Sequence, residues 1–296
     1  MTAGTGCEAH EFEAHRHRLI GLAYRMLGSR AEAEDVVQDA FLRWHGTARR
    51  DIDDARRWLG TVVARLCLDR IKSARARREV YVGAWLPEPL VDESFDAESH
   101  SDFADDVSVA LMLTLERLSP LERAALLLHD VFDLEFAEVA RALDRTEAAV
   151  RQLASRAREH LRRERPRFPA SEESGRRLAN AFRTAAASGD AQALLALFAE
   201  DAVLYTDGGG KKAAALNPIF GAERIARFFA GIARKNAAAG HSDFRPAAIN
   251  GLPGFVVREL DGSIATVAIE PRDGRIGALY LVRNPDKLRH VSAPHG

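Results

Sequence analysis

At 296 residues the chain has room for about two domains of ordinary size or three small ones, and 47% hydrophobic with 29% charged residues is a globular balance, neither disordered nor fibrous. A net charge of −1 excludes a molecule drawn as a whole to nucleic acid, so any basic footprint has to be local. Two cysteines, Cys7 and Cys67, are too few for a disulfide framework or a thiolate metal site, and no apolar run approaches membrane-spanning length. With a polar start rich in His and Glu, this points to a cytoplasmic protein without membrane association. His10, His15 and His17 beside Glu11 and Glu13 read as a solvated helix start, and neither metal nor cofactor is expected.

From Phe12 onward apolar residues recur at helical spacing, first Leu19, Leu22, Ala23 and Met26, then Val36, Val37, Ala40, Phe41 and Trp44, with Gly28 and Ser29 between the two sets. A third helix, about 54–78, buries Trp58, Leu59, Val62, Val63, Leu66 and Ile71 and leaves a basic end exposed, so 8–84 reads as one helical domain. Residues 85–107 carry Pro87, Pro89 and eight acids with no Lys or Arg, a like-charge run expected to behave as an extended acidic linker. Helical periodicity returns over 108–166, broken at Ser119-Pro120 and Asp144-Arg145, as a second all-α domain. After Pro166 and Pro169 the character changes. Over 172–296, helical patterns at 176–187, 191–198 and 223–237 mix with β-branched runs at 203–205, 255–257, 264–269 and 276–282. Turn signals stand at Asp207-Gly208, Asp261-Gly262 and Asp273-Gly274, which makes the third domain α+β.

The most informative segment is 136–163. One short helix ends at Leu143, Asp144-Arg145 turns, and Thr146 caps a second helix with Glu147 in its first turn. Val150, Leu153, Ala154, Ala157 and Leu161 form a single apolar stripe, which turns Arg151, Gln152, Ser155, Arg156, Arg158 and Arg162 outward. This is a helix-turn-helix whose second helix suits the DNA major groove, where Arg and Gln read guanine and adenine edges. In the third helix of the first domain, Arg65, Arg70, Lys72, Arg75, Arg77 and Arg78 oppose only Asp69, a run suited to strand phosphates with unpaired bases held beside it.

Together these blocks resemble the extracytoplasmic-function sigma factors, small members of the sigma-70 family that direct RNA polymerase to promoters. Residues 33–44 are similar to the polymerase-binding helix of region 2, residues 58–78 to its promoter-melting part, and residues 136–161 to the region 4 reader of the upstream element. The resemblance implies that Asp35, Gln38, Asp39 and Trp44 contact the clamp helices of the largest polymerase subunit, with the flap as a further core contact. It implies that Arg65, Arg70, Lys72, Arg75 and Arg77 serve the −10 element and that Arg151, Gln152, Ser155, Arg156 and Arg158 read the −35 element. Many members of the family carry Asn where this chain has Arg65. Three short motifs, Trp85-Leu86-Pro87-Glu88-Pro89, Asp207-Gly208-Gly209-Gly210 and Asn284-Pro285-Asp286-Lys287-Leu288, resemble a SigJ-like subgroup with a SnoaL-like, NTF2-like C-terminal extension that regulates the sigma core. The implied interdomain residues are Trp85, Leu86, Pro87, Pro89, Asp207, Gly208, Gly209, Asn284, Pro285, Asp286 and Lys287.

NTF2-like cones also host enzymes, and Tyr205, Asp207, His241 and Asp243 are the nominal catalytic candidates, but no spacing among them specifies a reaction. No catalysis is expected; a small ligand in the cone is the better expectation. The alternatives to a sigma factor are a small-molecule-sensing DNA-binding regulator that never touches polymerase core, and a fused enzyme.

Overall fold

The structure of the protein, a computed structural model, describes residues 3–47, 52–78, 81–92, 108–164, 171–237 and 242–292; for 3–9, 73–78, 163–164 and 172 the backbone alone is described. The chain divides into two compact units, Met1–Val80 with Ala110–Arg165, and Tyr81–Val109 with Pro166–Gly296.

The first unit is helical. Helices α1 (Ala3–Leu27) and α2 (Arg30–His45) meet at Gly28, whose φ of 70° permits the reversal, and the Ser29 hydroxyl accepts the Glu32 N–H at 3.2 Å to start α2. Their facing stripes, with Leu59, Val63 and Ala64 of α3 (Ala55–Arg78), form a buried core in which Trp44 packs on Trp58 at 5.7 Å. Helices α4 (Val109–Arg117), α5 (Pro120–Asp130), α6 (Phe136–Leu143) and α7 (Glu147–Glu164) complete the unit. Ser119 and Glu122 cap α5 reciprocally, with Pro120 at its first position.

The two helical segments, expected as separate domains, form one unit. Two features join them. Gly60 of α3 lies so close to Phe132 that a Cβ there would stand 2.8 Å from the ring. Arg123 of α5, 4% exposed, donates to the Met26 carbonyl at 2.5 Å and to Glu116 at 2.9 Å, partners that a buried guanidinium requires. No described helix is long and apolar enough to cross a membrane.

The second unit is α+β. Its strands are β1 (Val91–Asp92), β2 (Phe198–Asp207), β3 (Ile219–Phe220), β4 (Asp243–Ile249), β5 (Leu252–Arg258), β6 (Ile264–Arg272) and β7 (Arg275–Val282). They form one sheet in the order β1-β4-β5-β6-β7-β2-β3, antiparallel except for β2 beside β7. Helices α8 (Glu172–Ser188), α9 (Ala191–Leu197) and α10 (Ala222–Asn236) cover one face over a core of Phe182, Leu194, Phe198, Leu204, Ile225, Phe229, Phe255, Ile269 and Leu279.

Four strands fall where the β-branched runs predict them. β4 does not, since Pro246 interrupts its pattern, and Pro246 is tolerated because β1 pairs only with Ala248 and Ile249. The Asp-Gly pairs at 261 and 273 do turn hairpins, β5 to β6 and β6 to β7. Asp207-Gly208 does not turn a tight hairpin, because the next strand, β3, pairs back antiparallel only with Val203 and Leu204 after the connection 208–218, and Asp207 is wholly buried. The expected linker is also corrected: residues 93–107 lie outside the described part, but Leu86 to Leu90 are buried and β1 extends the sheet. Glu88, counted among solvated acids, is 7% exposed.

Candidate functional site

The helix-turn-helix is built as its punctuation dictates. Glu135 and Glu138 start α6, Asp144 ends it in the left-handed region at φ 52°, and the Thr146 hydroxyl accepts the Ala149 N–H at 3.3 Å to start α7. Val150, Ala154 and Ala157 are buried beneath α7, which leaves Arg151, Gln152, Ser155 and Arg156 exposed on one face. Arg151 is held in place on that face, its Nη2 2.6 Å from Glu147 and its guanidinium 4.4 Å above the Phe136 ring. Arg158 departs from the expected role. It points back to α5 and grips Asp130 with both Nε, at 2.8 Å, and Nη2, at 2.5 Å, a bidentate pair that braces the recognition helix instead of reaching outward.

The candidates on α2 and α3 are brought together, but not as free surfaces. Arg70 of α3 reaches Asp35 at 3.4 Å and Asp39 at 3.2 Å, joining one expected DNA residue to two expected polymerase residues. Arg65 donates Nε to the Ala142 carbonyl at 2.7 Å and Nη2 to the Arg141 carbonyl at 2.8 Å. It thereby satisfies the last orphan carbonyls of α6. Lys72 is exposed beside Asp69, and the side chains of Arg75 and Arg77 lie outside the described residues. Trp44 is 1% exposed, so its place is in the core with Trp58 and not on a partner surface. What the sequence reading missed on α2 is Leu42, 62% exposed one turn beyond Gln38; its signal was an apolar residue off the buried stripe.

In the second unit the three short motifs converge on one carboxylate. Asp207, 0% exposed, receives four donors: Oδ1 accepts the Tyr81 hydroxyl at 2.5 Å and the Gly209 N–H at 3.0 Å, and Oδ2 accepts the Leu86 N–H at 2.9 Å and Lys287 Nζ at 2.8 Å. Burial, then the bond it donates to Asp207, hold the Tyr81 hydroxyl above the usual phenol range. Lys287 also donates to the Leu86 carbonyl and sits 4.4 Å over the Trp85 ring. Asn284 donates to the Tyr81 oxygen at 2.9 Å, and its own N–H, with that of Arg283, goes to the Asp207 carbonyl.

The glycines let the chain fold tightly here. A Cβ on Gly208 would lie 2.1 Å from the Lys212 carbonyl oxygen, and Gly209, at φ 59°, lies where a Cβ would meet Asn284. Further along, His290 faces the Glu88 carboxylate through Nδ1 at 3.1 Å and the Pro89 carbonyl through Nε2 at 2.8 Å. Asn250 exchanges bonds with Leu90, its Oδ1 accepting the Leu90 N–H and its N–H reaching the Leu90 carbonyl. Tyr81, Asn250 and His290 had no signal in the sequence, each being a single polar or aromatic residue outside the motifs they serve.

Among the described residues the nominal catalytic side chains do not assemble. Along β2, Leu204 joins the core beneath the helices while Tyr205 stacks on Tyr280 and Asp207 binds the linker segment on the opposite face. Asp243 is exposed at the start of β4, and His241 lies outside the described residues.

The comparisons with known proteins agree with this geometry. Residues 12–77 match the family model Sigma-70 region 2, and residues 108–161 match Sigma-70, region 4. The chain is 39% identical to the ECF RNA polymerase sigma factor SigJ of Mycobacterium tuberculosis over 95% of its own length and 93% of the relative's. It is 39% identical to a probable ECF RNA polymerase sigma factor SigI of the same organism, covering 62% of this chain and 64% of that protein. The crystal structure of the Mycobacterium tuberculosis extracytoplasmic function sigma factor SigJ superposes with a TM-score of 0.76 at 36% identity, covering 95% of this chain and 98% of that one.

Proposed function

The chain belongs to the extracytoplasmic-function sigma factors of the sigma-70 family, and from that membership we propose how its own residues bring RNA polymerase core to a promoter. The exposed face of α7, with Arg151, Gln152, Ser155 and Arg156, enters the major groove of the −35 element. The basic side of α3, with Arg65, Arg70 and Lys72 and continued through Arg75 and Arg77, takes the −10 strand. Asp35, Gln38 and Asp39, with exposed Leu42 beside them, form the α2 face that meets the clamp helices of the largest polymerase subunit; the helix-turn-helix part meets the flap. Trp44 and Arg158 hold the scaffold under these surfaces.

The observation that carries this reading is a capped recognition helix with four unburied, bond-donating side chains on one face. Its test is a promoter-binding titration of the Gln152→Ala and Arg156→Ala variants, each loaded on core polymerase. Loss of a bidentate base contact costs about 1–3 kcal/mol, so each variant should bind −35 DNA roughly tenfold more weakly while binding core normally. Unchanged promoter affinity would sink the assignment.

The engagement of Arg65 by α6, and of Asp35 and Asp39 by Arg70, supports reading the described helical unit as a resting form. Polymerase and DNA then exchange for these internal partners, a population shift driven by their better binding to the released arrangement. The C-terminal extension acts on the same equilibrium through the chain that connects the two DNA-binding segments. By holding residues 81–92 around Asp207 and on the sheet edge, it fixes the first part of that connection. We read the extension as a regulator: Tyr205 and Asp207 lie on the sheet face turned away from the helices, where Asp207 is engaged by residues 81–92.

A further inference from the structure

The helices of the second unit and the covered face of its sheet border an open cavity of about 1020 Å³. Phe182, Phe229, Val257, Val267 and Leu281 are part of its apolar wall, and Thr206 is a polar point in the lining. At one end stands the ion pair of Glu259 and Arg283, with Nη2 of Arg283 2.8 Å from Glu259. Size and lining are those of a small-molecule site, which is typically concave, mostly apolar and of roughly 300–1,000 Å³.

We propose that this cavity binds a ring-containing, largely apolar small molecule, and that its occupancy tightens the grip of the extension on the 81–92 segment. The chemistry of the walls sets the class. Phe182 and Phe229 meet edge to face at 5.0 Å, leaving ring edges and faces as the contact surface. Glu259 and Arg283 neutralise one another, and the exposed Arg234 and Lys235 also line the cavity, so a negative group on an otherwise apolar ligand is accommodated.

The coupling follows from shared residues. Thr206 lines the cavity and the next residue, Asp207, holds Tyr81 and Leu86 on the other face. Arg283 lines the cavity and its successor Asn284 holds Tyr81. Residues 213–215, also in the wall, are fixed by the Thr206 hydroxyl at 2.7 Å from the Ala215 N–H and by Arg283 donating to the Ala213 carbonyl. The same loop begins at Gly208, whose carbonyl accepts the N–H groups of Lys211 and Lys212. A ligand that packs against Thr206, Ala215 and Arg283 therefore orders the backbone that positions Asp207 and Asn284. This is the differential contact that coupling between two sites requires.

The test uses the neutral fluorophore N-phenyl-1-naphthylamine on the full chain. Its fluorescence should rise saturably at one site per chain. Hydrogen exchange should slow along β5, β6 and β7, and in the 81–92 segment it should slow roughly fivefold or more, the low end of typical coupling between sites. Val267→Trp fills the cavity and should abolish uptake. Ala186→Phe narrows it from a less buried position and should weaken uptake at least tenfold, on the order expected for steric loss of an apolar site. Uptake that does not saturate, protection that avoids those strands, or a bound probe that leaves 81–92 unchanged overturns the proposal. The coupling half rests on the clamp reading above, and the two fail separately. If Asp207→Asn releases 81–92 but the probe does not bind, only the ligand site is lost; if Asp207→Asn leaves 81–92 protected, the clamp itself is wrong.

Discussion

Replacing Asp207 by Asn is the sharpest probe of the clamp, because one substitution removes a charge without changing volume. In the protein the carboxylate is fully buried, accepts four donors, and faces Lys287, whose side chain is 13% exposed. Removing one member of a buried ion pair costs about 3–5 kcal/mol. The amide also turns an N–H₂ group toward two donors on whichever side it faces, and each buried donor left unmet costs about 1–3 kcal/mol. These costs do not add, since the segment 81–92 can detach and let water satisfy the orphaned groups. The expected result is therefore local release without collapse of the unit.

Leu86 and Leu90 carry the reporting amides, their N–H groups now bonded to Asp207 Oδ2 and Asn250 Oδ1. A loss of 3–5 kcal/mol of docking corresponds to roughly 100- to 4000-fold faster exchange at those amides, at tenfold per 1.4 kcal/mol. Hydrogen-exchange mass spectrometry of the 81–92 peptide reads it directly. Exchange within threefold of the parent would refute the reasoning, since the carboxylate would then not be what holds the segment.

Gly209→Ala should loosen the same clamp from the other side: its left-handed φ of 59° costs an L-residue about 1–2 kcal/mol, and the new Cβ meets Asn284, so faster exchange in 81–92 is expected and parent-like exchange argues against the close approach. Arg65→Ala should lower the unfolding free energy of the helical unit, read from a urea titration, by about 1–2 kcal/mol, less than a buried charged bond because Arg65 is partly exposed, and Arg65→Lys should restore only part, lacking the fork that spans two carbonyls. An unchanged midpoint for Arg65→Ala would show that the contact with α6 contributes nothing.

Lys211, at 2.5 Å, and then Arg289, at 2.8 Å, hold the Asp286 carboxyl below the usual carboxylate range. A depressed folded pKa contributes stability above the unfolded value near about pH 4 and loses it as pH falls through the folded value. Asp286→Asn should thus be slightly less stable than the parent at pH 6, by a few tenths of a kcal/mol for so exposed a pair, with the gap closing as pH falls through the depressed carboxylate pKa. Thermal unfolding across that range checks it, and a gap independent of pH would contradict it.

Much of the helical part was legible in the sequence because its signals are local. Caps at Ser29, Ser119 and Thr146 and the stripe Val150, Ala154, Ala157 lie within a few residues of what they govern. The strands beside Asp261-Gly262 and Asp273-Gly274 were legible for the same reason, whereas β4 was hidden by Pro246. The motifs around Trp85, Asp207 and Asn284 were recognisable as motifs, but nothing in them states that a tyrosine 126 residues earlier donates to Asp207.

What the sequence by itself determined was therefore the set of helices, the recognition helix and its outward residues, and the α+β character of the extension. The fate of each charge was decided by the tertiary structure alone. Arg156 is exposed on its helix, while Arg158, two residues on, is locked to Asp130; Glu88 and Asp207 are buried, while Asp286 stays at the surface. Periodicity assigns a side chain to a helix face, but whether a partner with the opposite charge waits opposite that face depends on segments far away in the chain. For a carboxylate or a guanidinium that partner is the difference between a surface group and a clamp.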